Sequence, residues 1–239
     1  MNIFNIFFPA KCYSCGQFVR KIGFCPPCKA RLTPRPPHRC TQCDRLFRAA
    51  SAPHRCGDCL RRNAPFDSVH GVFEYEGPAG LAIRNGKYQC WPEALDALGR
   101  SVAMHLPASL ISEPPSIVIP MPLHSKRRVK RGFSPPAILA RHIGRALGRP
   151  LLRNGLVRNV HTRDQAGLTA RERQANVAGA FRIGVLKDAD DVLLVDDVFT
   201  TGSTLRAASR VLRRHGAQRI RGLCAAYVDE PPPEVGRRS

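Results

Sequence analysis

The sequence predicts an α/β chain: a parallel sheet flanked by helices, preceded by a small metal-stabilised module. Three observations carry this. Two short, unbroken apolar runs, SIVIP (Ser116–Pro120) and DVLLV (Asp191–Val195), have the texture of strands buried on both faces. Segments with apolar residues at three- and four-residue steps alternate with them, which implies parallel strands joined by right-handed crossovers. Eight cysteines fall in four Cys-x-x-Cys pairs, all before residue 60, a spacing that suits a metal.

The pairs are Cys12/Cys15, Cys25/Cys28, Cys40/Cys43 and Cys56/Cys59. Two residues between cysteines let both thiolates turn onto one tetrahedral ion, so the eight make two structural four-cysteine zinc sites. Thiols in this use point to a reducing, cytoplasmic setting. The simplest grouping is sequential, Cys12/Cys15 with Cys25/Cys28 and Cys40/Cys43 with Cys56/Cys59, and a cross-braced grouping stays open. Residues 1–62 contain little apolar material, so metal binding of about 10–16 kcal/mol per site would be their folding energy. His38 and His54 lie nearby and are expected to be bystanders, because eight cysteines already complete two sites.

This module holds 12 Lys+Arg against 2 Asp+Glu, and the whole chain carries a formal charge of +20. Such an excess favours polyanionic partners, nucleic acid or phosphorylated metabolites. No run of about 18 apolar residues occurs, so no membrane span is expected. The opening MNIFNIFFPAKC has neither a basic n-region nor a cleavage site and reads as a buried strand or a cover over the neighbouring site.

The remaining elements follow in order. VHGVFEYEG reads as a strand or hairpin arm. Glu93 to Leu106 is helical, with Leu95, Leu98, Val102 and Leu106 in register, and SIVIP is the next strand. Pro135 to Leu147 is a helix with Ile138, Leu139, His142, Ile143 and Leu147 on one stripe. Residues 153–182 are polar, a long loop or flap of the sort that is functional or mobile in a compact domain. After DVLLV, STLRAASRVLRRHG is a helix burying Leu205, Ala208, Val211 and Leu212 and closed by Gly216. RIRGLCAAYV is the last strand, with Cys224 a small core residue, and EPPPEVGRRS is a low-complexity tail over 230–239.

The segment VLLVDDVFTTGSTL (Val192–Leu205) carries the chemistry. Two acids at the carboxyl end of a parallel strand, then a hydroxyl-rich glycine turn into a helix N-terminus, occupy the place where open sheets bind ligands. Free N–H groups and the helix dipole make the turn an anion site. Asp196 and Asp197 suit the 2′- and 3′-hydroxyls of a ribose, and Thr200, Thr201, Ser203 and Thr204 add hydroxyl donors beside Gly202. An ATPase reading fails, because no G-x-x-x-x-G-K-[ST] segment accompanies the acidic strand. The plain alternative is a core strand followed by a helix capped by Ser203 or Thr204, which leaves the paired acids unexplained.

VLLVDDVFTTGST is similar to the phosphoribosyl-pyrophosphate (PRPP) signature of type I phosphoribosyltransferases. IPMPLHSKRRVKRGF (Ile119–Phe133), HTRDQAGLTARERQANVAGAF (His161–Phe181) and this signature, in that order behind paired cysteines, resemble the ComF family from Cys12 to Val228. The resemblance implies a double zinc ribbon over 1–62 and a type I phosphoribosyltransferase-like domain over 63–239, with 63–115 as hood and first strands and 153–182 as flap. It also implies Asp196 and Asp197 as ribose ligands, a phosphate loop at Thr200, Thr201, Gly202, Ser203 and Thr204, and magnesium entering with PRPP. A link to DNA uptake and to competence proteins follows. Of the cations at 126–131, Arg131 and Arg127 are the choices for pyrophosphate, against a solvated loop or one that tracks a nucleic-acid backbone. Thr162, Gln165, Arg171, Arg173 and Asn176 fall in the flap counterpart, and Lys87 matches a family lysine or is a surface lysine. Where the family continues Arg-Gly-Phe with a polar pair, this chain has Ser134-Pro135-Pro136, a departure that bears on catalysis more than on PRPP binding. Three functions remain open: a phosphoribosyltransferase with an unidentified acceptor, a basic zinc-ribbon module binding single-stranded DNA, and a regulatory PRPP sensor without turnover.

Overall fold

The computed structural model describes residues 10–20, 22–47, 49, 51–61, 63–123, 129, 131–158, 180–186 and 190–229. The apolar opening through residue 9 and the tail after 229 lie outside them. Along the chain, α1 (Pro26–Ala30) and α2 (Gly57–Arg61) precede β1 (Ser68–Glu74). Then come α3 (Pro78–Tyr88), α4 (Pro92–Met104), α5 (Ala108–Ser112), β2 (Ile117–Pro120) and α6 (Pro135–Leu147). The chain continues through β3 (Leu156–Arg158), β4 (Phe181–Ile183), β5 (Asp191–Phe199), α7 (Ser203–Arg214) and β6 (Arg219–Tyr227).

The sheet runs β1-β6-β5-β2, and every pairing in it is parallel. VHGVFEYEG is therefore an edge strand beside the last strand, not a hairpin arm. Alternation along β5 splits the core in two. Val192 and Leu194 pack with Leu205, Ala208 and Leu212 of α7. Leu193 and Val195 pack with Leu95 and Leu98 of α4 and with Leu139 and Ile143 of α6. Val211, expected on the buried stripe of α7, is only partly buried.

Both sheet edges are covered, which removes the exposed ladder that invites association. Leu152 N–H donates to Val118 O at 2.9 Å along β2. Along β1, Arg35 N–H reaches Val72 O at 3.0 Å, and Gln42 O accepts from Val69 N–H at 2.9 Å. The chain from Arg35 into the second cysteine group is thus stitched to the sheet.

Helix α3 was not legible in the sequence, because its glycines read as breakers. Here they allow close approach: a Cβ on Gly86 would lie 2.6 Å from Leu95 Cγ of α4. The described ends of the 153–182 segment are more regular than a loop. They form an antiparallel ribbon, β3 against β4, packed through Leu156 and Phe181 on the α7 side of the sheet. The positions between, including Thr162, Gln165, Arg171, Arg173 and Asn176, lie outside the described residues.

Candidate functional site

Strand β5 continues through both aspartates to Phe199, so the acids lie within its last four residues, not beyond its end. The backbone then reverses and α7 begins at Ser203. Gly202 has φ +70°, and a Cβ there would meet Phe199 Cζ at 2.6 Å. The turn thus needs glycine both for its left-handed conformation and for contact with the ring beneath it. Thr201 Oγ1 donates to Ser203 Oγ at 3.2 Å and accepts from Ser203 N–H at 3.4 Å. Thr200, Thr201 and Ser203 are exposed, and Thr204 is half-buried. The N-cap of α7 is Gly202, with no side-chain cap. The plain reading, a helix capped by Ser203 or Thr204, is therefore not realised, and the hydroxyls stay at the surface of the turn.

The two acids take different roles. Asp196 joins Phe199, Thr200, Gly202, Ser203 and Cys224 in lining a small cleft under the turn. Burial and the neighbouring Asp197 push its carboxyl up to about 7, against the opposing pull of the Asp197 N–H, Lys87 and Arg158. The Asp197 N–H donates to Asp196 Oδ1 at 2.9 Å. Asp197 itself is buried and pairs with Lys87 Nζ from the last turn of α3. Lys87 is thus paired with one of the two acids of the candidate site and is not a stray surface lysine. Arg131 comes to the same place, its Nε donating to Lys87 O at 3.0 Å.

Arg127 and the rest of the basic run, His124 to Arg128 with Lys130, lie outside the described residues. Ser134, the first residue of the departure, has a structural use: its Oγ accepts from Ala137 N–H at 3.4 Å and caps α6, with Pro135 and Pro136 buried in the first turn. Sequence reasoning missed Arg158, whose charge acts on Asp196 from β3. It also missed Tyr227, whose ring stacks on Phe199 with centroids 4.9 Å apart. A lone arginine in a short strand and a terminal tyrosine leave no pattern to find. Cys224 is buried as expected and also stands beside Asp196, its thiol pushed well above its usual range by burial.

The cysteines gather in two groups, Cys12, Cys15, Cys25 and Cys28, and Cys40, Cys43, Cys56 and Cys59, with the sulfurs of each within 4.8 Å of one another. The grouping is the sequential one. Tetrahedral zinc at about 2.3 Å from each sulfur spaces the sulfurs by about 3.8 Å, and Cys15–Cys25 and Cys43–Cys56 stand at 3.7 Å. Burial raises the Cys12 thiol, but the N–H groups of Cys25, Cys15 and Ser14 outweigh it and bring it down to about 6. Cys40 is likewise brought to about 7 against its burial, by the N–H groups of Cys43, Cys56 and Gln42. Burial pushes Cys28 up to about 12, Cys59 up to about 11 and Cys43 further still, so a metal must displace protons from all three. Both groups fit structural zinc. His54 stays outside the ligand set, stacked on Phe47 at 4.1 Å, and His38 is not in either group.

No helix among the described residues is long and apolar enough to cross a membrane. A double zinc ribbon domain matches residues 3–60, and a phosphoribosyl transferase domain matches residues 130–235. Competence protein F of Haemophilus influenzae is 31% identical over 238 residues, covering 95% of this chain and 100% of that protein. DNA utilization protein YhgH of Escherichia coli K12 is 28% identical, over 90% of this chain and 96% of its own length. Competence protein ComFC of Bacillus subtilis is 24% identical, over 86% of this chain and 78% of its own length. With its paired cysteine groups, its parallel sheet and the acidic strand leading into a glycine turn, the chain belongs to the ComF family of competence proteins.

Proposed function

We propose that the chain binds PRPP with magnesium at the β5–α7 turn and serves DNA uptake in the cytoplasm. The observation that carries this reading is the uncapped N-terminus of α7, where exposed hydroxyls and a left-handed glycine adjoin a cleft holding Asp196. Backbone N–H groups at such a terminus hold an anion, and the dipole favours its charge. In this reading Thr200, Thr201, Gly202, Ser203 and Thr204 hold the 5-phosphate. Asp196 and Asp197 accept from the ribose hydroxyls, which requires Asp197 to exchange part of its pairing with Lys87. Arg131 and Arg127 are the cations assigned to the pyrophosphate. Magnesium bound with PRPP would offset the charge of that group. Residues 1–62 form the zinc-binding unit and 63–239 the PRPP-binding unit.

Calorimetry tests the binding step. Full-length protein is expected to bind PRPP with magnesium, and Asp196→Ala with Asp197→Ala is expected to weaken binding at least about tenfold, since each hydrogen bond to a charged group is worth about 1.5–3 kcal/mol. Unchanged affinity would defeat the reading. Turnover is separate: pyrophosphate released in the presence of cell extract marks a transferase, and tight binding without release marks a sensor. The charge of +20 favours a further reading, contact with single-stranded DNA. Its signature is an affinity that falls steeply with salt.

A further inference from the structure

The phosphate turn and the second cysteine group are joined by three consecutive contacts. Gly202 rests against the Phe199 ring, at a distance that leaves no room for a methyl group. Phe199 stacks on Tyr227 with centroids 4.9 Å apart and planes 18° apart. The Tyr227 hydroxyl donates to the carbonyl of Cys43 at 3.0 Å, in a buried setting. Cys43 belongs to the second sulfur group. The ring has little freedom to adjust alone. The Arg35 guanidinium lies 4.1 Å from its centroid, and a Cβ on Gly71 of β1 would meet Tyr227 Cβ at 2.5 Å.

The geometry points to Tyr227 as a positioning residue that couples the second four-cysteine site to the phosphate turn. The inference rests on the proposed PRPP reading and adds a role for the zinc unit in it. Metal on Cys43 and Cys40 fixes the Cys40–Cys43 loop, and with it the carbonyl that Tyr227 holds. That bond sets the Tyr227 ring, the ring sets Phe199, and Phe199 supports Gly202. A ligand that orders the turn then favours the zinc-bound form of the second site, because coupling between two sites is reciprocal.

Zinc release tests this directly. Full-length, zinc-loaded protein is mixed with a chromophoric chelator, with and without saturating PRPP and magnesium, and calorimetry establishes binding separately. In the wild type, PRPP is expected to slow release of one of two zinc equivalents about tenfold, within the usual span of coupling between sites. Tyr227→Phe keeps the stack and loses the bond to Cys43; Phe199→Leu keeps the bond and loses the stack. Tyr227→Phe is expected to bind PRPP, and in whichever variant calorimetry shows binding, both equivalents are expected to leave at rates PRPP no longer changes. Asn85→Ala, which alters a contact of the first cysteine group, is expected to retain the slowing. PRPP that binds the wild type without changing either release rate overturns the coupling and leaves the PRPP reading standing. Full slowing in both Tyr227→Phe and Phe199→Leu also overturns it. Absence of PRPP binding removes the coupling and the reading together.

Discussion

The first cysteine group meets the sheet-bearing part of the chain through Asn85 Nδ2 of α3, which donates to the carbonyls of Tyr13 and Ser14 at 3.0 Å each, and through Phe24, which packs against both. The second meets it through a buried cation. Arg35, with no exposed side-chain surface, donates to Asp44 Oδ2 at 2.5 Å, Glu74 Oε1 at 2.9 Å and Asp229 Oδ2 at 2.6 Å. Asp44 also accepts from Arg39 and from the Gly71 N–H. Around the first group, Cys15, Phe18 and Ile22 stay exposed; around the second, all four cysteines are buried. Identical Cys-x-x-Cys pairs thus make a module that leans on a helix and a module built into the sheet edge. The spacing of ligands specifies the metal, and the flanking residues specify what the metal holds up.

Emptying the sites one at a time is the strongest way to break this comparison. Each zinc supplies about 10–16 kcal/mol of local folding energy. Both Cys25→Ser and Cys56→Ser are expected to lose zinc. Amide exchange in β1 and β6 should rise with Cys56→Ser and stay near wild type with Cys25→Ser. Equal exchange in the two variants would place both modules on the same footing.

The docking contacts differ by a smaller amount. Arg35→Ala strands three carboxylates, two of them partly shielded and one buried, and is expected to cost about 3–5 kcal/mol, as for a broken buried pair. Asn85→Ala removes two neutral hydrogen bonds and is expected to cost about 1–2 kcal/mol. Chemical denaturation of the two variants side by side measures the gap.

The smallest effect is a pH dependence confined to the second interface. His70 of β1 lies 3.9 Å from Asp44, and burial, with Arg39 and Arg221 adding to it, lowers its imidazole to about 4. The unfolded chain takes up this proton near pH 6.5, and the folded chain refuses it until about 4. Its contribution to stability is therefore whole above 6.5 and is lost as pH falls from 6.5 towards 4. Relative to wild type, His70→Gln should gain melting temperature across that window; parallel curves would show that His70 does not titrate with folding.

Much of the fold was legible because strong local patterns agree with the tertiary outcome. SIVIP and DVLLV are unbroken apolar runs since these parallel strands are covered on both faces, and the stripe from Ile138 to Leu147 packs on the sheet and on α4, with His142 bonded to Asp96 at 2.7 Å. The glycine turn was legible because few residue combinations serve an acidic strand end and a helix start together. Helix α3 was hidden by glycines whose use is packing against Leu95 and Tyr75, contacts that exist only after folding. The ribbon of β3 and β4 was hidden because two three-residue strands have too few positions to show a period.

By itself the sequence determined the ligand chemistry: eight cysteines at metal spacing, two acids and a hydroxyl-rich turn in a stated order. These are local properties, set by what neighbouring residues can reach. The tertiary structure alone decided which groups meet across long separations. It brought Lys87 to Asp197, 110 residues apart, and Tyr227 to Cys43, 184 apart. It also turned the two adjacent acids to different partners, since successive side chains of a strand point to opposite faces.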